Sequence, residues 1–110
     1  MKKIFIALTI ALIFSSYSNA AVYKGQRIFI KKCVECHQQR QTFISLKTTY
    51  EWEDLMRDKG RELAYIHLKD EKAKESWKYF KSSSYTKKAK HLEDFLLEYA
   101  KDSGNVPACN

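Results

Sequence analysis

Cys33-Val34-Glu35-Cys36-His37 is a C-x-x-C-H pentapeptide in a chain of 110 residues. Two thiols one helical turn apart can each add to a vinyl group of the same haem, and the histidine that follows is then held beneath the iron as an axial ligand. The spacing reads as one covalent haem c per chain, with Cys33 and Cys36 as thioether anchors and His37 as proximal ligand. Other uses of the two thiols fit less well. Zinc needs four ligands, and Cys33, Cys36 and His37 crowd three of them into five residues, leaving His67, His91 or Cys109 to complete the set. A dithiol oxidoreductase wants its C-x-x-C between a strand and a helix, and no strand pattern precedes Cys33.

Residues 1–20 read as a secretory signal peptide. Lys2-Lys3 form a positive start, Ile4 to Phe14 an apolar run too short for an ordinary span, and Ser18-Asn19-Ala20 the small residues of a cleavage site. Residues 21–110 are then a single periplasmic domain, with 104–110 as its tail. Export agrees with covalent haem attachment, which in bacteria takes place outside the cytoplasm. About ninety residues make a core that is marginal by itself, and a covalently tied haem supplies apolar mass. Aromatics are plentiful, including Phe29, Phe43, Trp52, Trp77, Phe80 and Phe95.

The pattern is helical, since Gly and Pro are nearly absent. Lys24 to Cys36 carries Ile28, Phe29 and Lys32 on one stripe. Gln38 to Lys47 reads as a loop beside the haem. A helix starts at Thr48 or Thr49, since either hydroxyl can cap and Thr48 has Glu51 three residues on in capping-box spacing; it buries Trp52, Leu55 and Met56 and stops at Gly60. Arg61 to Leu68 makes a third helix with Leu63, Ile66 and His67 on one side. Asp70 caps a fourth that runs to about Lys81 with Ala73, Trp77 and Phe80 inward. Ser82-Ser83-Ser84 is a break, and Thr86 to Asp102 is a terminal helix with Leu92, Phe95, Leu96 and Tyr99 at i, i+3, i+4 and i+7, stopped by Gly104 and Pro107.

Gly25-x-x-Ile28-Phe29-x-x-x-Cys33-x-x-Cys36-His37, followed by an aromatic-bearing last helix, resembles the small monohaem cytochrome c proteins of class I. The resemblance implies an all-α fold in which the first and last helices cross, with Gly25 and Phe29 meeting the Leu96/Tyr99 face and the haem in a crevice between them and the middle helices. It covers both ends of the chain better than the middle. The family usually has a proline after the motif whose carbonyl receives the proximal imidazole's hydrogen bond, but the only proline here is Pro107, so another carbonyl is expected to orient His37. The family's Pro-flanked distal Met is also missing. The candidates for the sixth ligand are His67, the preferred one, then Met56 and His91. A second imidazole would favour ferric iron and make a low-potential carrier.

Removal of Lys2 and Lys3 leaves eighteen Lys plus Arg against thirteen Asp plus Glu, a net +5, with eight lysines between Lys69 and Lys90. Such a face suits transient encounter with acidic periplasmic or membrane-bound redox proteins, or contact with an anionic membrane surface; nucleic acid is not expected outside the cytoplasm. Cys109 is a thiol left over after the haem takes two, available to a partner or to a disulfide. The sequence thus points to a non-enzymatic carrier of single electrons. The competing class is a haem-based small-ligand binder or peroxidase-like enzyme with an open distal site. N-terminal sequencing of the exported protein is expected to begin at Ala21; retention of Met1 would show the segment kept as an uncleaved anchor.

Overall fold

The computed structural model describes residues 20–106. The expected leader, apart from Ala20, and the end of the tail, with Pro107 and Cys109, lie outside the described residues. Among the described residues all regular structure is helical, and no helix is long and apolar enough to cross a membrane. The chain runs through α1 (20–32), the one-turn α2 (Gln41–Ile44), α3 (Thr49–Leu68), a 3₁₀ turn (Glu71–Ser76), the short α4 (Trp77–Phe80) and α5 (Ser83–Glu98).

The first and last long helices cross at Gly25. A Cβ there would strike the carbonyl of His91 and come within 2.6 Å of the Phe95 Cβ, so only glycine lets the two backbones approach this closely. One turn along α1, Phe29 tilts against Phe95 with ring centres 5.6 Å apart, and both rings are fully buried. The crossing therefore seats on His91 and Phe95, one turn earlier than the Leu96/Tyr99 face expected from the resemblance. Tyr99 packs edge-on against Phe95 instead, at 5.3 Å.

The start of α3 is fixed as its sequence implies. Thr48 accepts from the Glu51 amide, and the Glu51 carboxylate receives the Thr48 amide at 2.8 Å. Asp102, from beyond the last helix, adds a long-range cap by accepting from the Thr49 amide at 2.7 Å and its hydroxyl at 3.0 Å. These bonds hold its carboxyl below the ordinary range. Together with the Lys101 amide donating to the Lys47 carbonyl, they tie the end of the chain to the middle.

Inside α3 the helix is interrupted. Arg57 is extended and Asp58, Lys59 and Gly60 all adopt positive φ, so the stretch is two helical segments joined by a left-handed turn, as the glycine stop at position 60 predicts. Gly60 takes φ 76° without strain, and its missing side chain makes room for the Tyr85 hydroxyl, which donates to the Gly60 carbonyl. Asp58 and Lys59 occupy the same region at a cost of about 1–2 kcal/mol each.

Elsewhere the structure corrects the sequence reading. The loop after the motif contains α2, whose Ile44 is fully buried and whose carbonyl receives the Trp52 indole N–H at 2.8 Å. The fourth helix is split into a 3₁₀ turn and α4. The serine run does not simply break the chain: Ser82 caps α5 by accepting from the Tyr85 amide, and Ser83 and Ser84 belong to the helix. α5 accordingly starts three residues earlier than expected and ends at Glu98.

Two substitutions are expected to move thermal unfolding in opposite directions. Gly25→Ala should destabilise the fold by about 2 kcal/mol or more despite alanine's better helix propensity, because the crossing must open. Lys59→Gly should stabilise it by about 1 kcal/mol by relieving the left-handed residue.

Candidate functional site

The motif residues leave α1 in a helical turn that continues past its end. The Cys33 amide bonds to the Phe29 carbonyl and the His37 amide to the Cys33 carbonyl, both at 2.9 Å, so the pentapeptide is wound as a single turn. This winding puts Cys33, Cys36 and His37 on one wall of a cavity of about 390 Å³, within the roughly 300–1,000 Å³ of small-molecule and cofactor sites. α1 contributes Phe29, α3 contributes Leu55, Leu63, Ile66 and His67, and α5 contributes Leu92 and Leu96.

His67 faces His37 across this space, with ring centres 6.2 Å apart and planes at 77°. Two imidazoles bound to opposite sides of one metal ion have ring centres about 6 Å apart, given a metal–nitrogen bond of about 2 Å and about 1.1 Å from nitrogen to ring centre. The pair therefore has the separation that axial ligation requires. Each ring is held flat against an aromatic side chain: His37 on Phe43 at 4.1 Å and His67 on Phe80 at 4.4 Å. The Nδ1 of His67 lies 2.7 Å from the Leu63 carbonyl, one turn back on its own helix. A carbonyl can only accept, so Nδ1 carries a proton, and Nε2 is the ring nitrogen not engaged by this bond. The Trp77 indole N–H donates to the His67 carbonyl at 2.8 Å and fixes this end of α3. For His37, burial and the neighbouring His67 lower the pKa, which keeps the imidazole in the neutral, ligating form.

Among the described residues no carbonyl bonds to the His37 ring, which departs from the expectation; stacking on Phe43 sets its plane instead, and it is His67 whose ring is bonded to a carbonyl, that of Leu63. The remaining ligand candidates lie elsewhere. Met56 is buried in the core against the Gly60 turn, and neither it nor His91 lines the cavity. His91 sits on the α1–α5 crossing, its carbonyl against Gly25. Among the described residues no three His, Cys, Asp or Glu side chains converge as a metal-ion cage would require.

The two cysteines are inequivalent. Burial, and secondarily Cys36, push the Cys33 thiol up to about 12, whereas Cys36 is exposed. The tyrosines next to it, Tyr79 and Tyr85, are also shifted upward by burial and then by Cys33. Sequence spacing treats the two thiols alike; the asymmetry comes from the packing of Cys33 against the hydrophobic core, which leaves Cys36 exposed.

No family model, curated protein or solved structure matches this chain.

Chain isolated without haem is expected to react with iodoacetamide at Cys36 at least about a hundredfold faster than at Cys33 at neutral pH, because the thiolate is the nucleophile. Peptide mass mapping over time reads the ratio, and equal rates would contradict the half-buried placement of Cys33 beside an exposed Cys36.

Proposed function

We propose that this chain is an exported monohaem c-type cytochrome that carries single electrons between periplasmic or membrane-bound redox proteins. The observation that carries the reading is the facing pair His37 and His67 in a cavity whose wall also bears Cys33 and Cys36. Cys33 and Cys36 would anchor haem c by thioether bonds, and His37 and His67 would be its axial ligands. When bound, the haem supplies a reversible one-electron ferric/ferrous couple.

The protein's part is to hold the site and bias that couple. The Leu63 carbonyl fixes the orientation of the His67 ring, and the Phe43 and Phe80 stacks restrain both imidazoles where they would hold the haem. Two imidazoles and no thioether favour the ferric state, which makes this a low-potential carrier. Leu55, Leu63, Ile66, Leu92 and Leu96 keep water from the inner part of the cavity. Lys32, Lys47 and Lys72 stand at its lining against the single carboxylate of Asp70, a charge balance that suits the propionates of a porphyrin. The geometry of the histidine pair favours a six-coordinate carrier over a ligand binder or peroxidase with an open site.

The mature protein made in a host with haem-attachment machinery is expected to keep its colour through acid–acetone extraction. Its spectrum should be six-coordinate and low-spin, indifferent to carbon monoxide. His67→Ala should turn the spectrum high-spin and admit carbon monoxide. A spectrum that the substitution leaves unchanged would remove His67 as ligand, and colour lost on extraction would remove covalent haem altogether.

A further inference from the structure

A second concavity, of about 530 Å³, lies on the far side of α1, between that helix and α5. Lys24, Arg27 and Lys31 enter it from α1 at i, i+3 and i+7; Lys32 joins from the end of the same helix and Lys88 from α5. No Asp or Glu lines it, and among the described residues none of these five cations makes an ion pair. By contrast Lys90, two residues from Lys88, is held by both Glu93 and Asp94. Acidic groups are thus available on α5 but are turned to its other side.

His91 also lines the groove, but its Nδ1 has no accessible surface and no hydrogen bond among the described residues, so that atom lies behind the wall. Ser84 and Tyr79 add hydroxyl groups to the walls.

We infer that this groove binds a ligand bearing several phosphate groups. Five uncompensated cations in one concavity repel one another unless dense negative charge enters, and a phosphate concentrates more charge and more acceptor oxygens than a carboxylate. Arg27 can grip such a group through paired donors, and the lysines act as point charges around it. The groove has the dimensions of a small-molecule site, whereas an acidic protein would dock across a broad face of about 800 Å². The ligand is a free polyphosphorylated compound or an anionic phospholipid headgroup, which share this chemistry. Lys32 lines both the groove and the histidine cavity, its ammonium 5.5 Å from the Tyr79 ring centre, so the two sites share a wall. The inference does not rest on haem, since every group it uses belongs to the chain.

The test is calorimetric titration of the purified mature protein with inorganic tripolyphosphate at low salt. The triple variant Lys24→Gln/Arg27→Gln/Lys88→Gln is compared with a charge-matched control, Lys69→Gln/Lys74→Gln/Lys78→Gln, at exposed positions outside the groove. Saturable binding is expected, weakened about tenfold or more by the groove triple and less than about twofold by the control. Equal weakening by both triples would overturn the proposal in favour of diffuse charge, and so would the lack of any saturable binding to wild type. Circular dichroism of both triples confirms that they fold. Sedimentation with cardiolipin vesicles, whose headgroup carries two phosphates, against pure phosphatidylcholine, then assigns the source: pelleting that the groove triple abolishes identifies a lipid headgroup, and tripolyphosphate binding without pelleting identifies a free phosphate compound.

Discussion

The close passage of α1 over α5 at Gly25 is the contact on which the other placements depend. It lets Phe29 reach Phe95 and fixes the direction in which α1 ends. Four residues beyond Phe29 the helical turn delivers Cys33 against Tyr79 and Tyr85, and four beyond that it delivers His37 against Phe43. A side chain at position 25 would displace α1 as a body, and the motif with it. A glycine some distance from any chemistry therefore governs where the chemistry is held.

A second constraint meets it from the other side. His67 is placed by α3, and α3 is placed by bonds at three points: the Thr48/Glu51 box with Asp102 at its start, the Tyr85 hydroxyl on Gly60 at its interruption, and the Trp77 indole on the His67 carbonyl at its end. Of these only the Thr48/Glu51 box is local in sequence; Asp102 reaches Thr49 across 53 residues. The left-handed turn at 57–60 redirects the helix so that Leu63, Ile66 and His67 line the cavity while Met56 stays in the core. Two strained non-glycine residues at this turn are tolerated because Tyr85 and the packed segments on either side over-determine it.

What the sequence makes legible here follows from range. The capping box, the Gly60 stop, the Asp70 cap and the apolar spacing of α5 are signals within a few residues, and each agrees with the observed element. Three hydroxyl residues in a row read as punctuation, but their ability to cap makes the first of them the start of α5. α2 and the 3₁₀ turn carry no apolar period of their own; packing of Ile44 under Trp52 and the Asp70 turn impose them. Likewise the motif names Cys33, Cys36 and His37, and the apolar stripe of Arg61 to Leu68 singles out His67. The difference between the two thiols, and the closing of the α1 cations into a groove by Tyr79, Ser84 and Lys88, arise only when distant elements meet, so no window of sequence contains them.

The two tryptophans of the chain have an optical consequence. Trp52 lines the histidine cavity, and Trp77 is hydrogen-bonded to the backbone of a residue that lines it, so the intrinsic emitters are gathered around one space. A strongly absorbing group held there would drain their emission by energy transfer over so short a path, leaving a folded, filled molecule nearly dark in the near ultraviolet. The chain carries its own gauge: brightness grows as the walls move apart, and occupancy can be followed from within the protein without an added label.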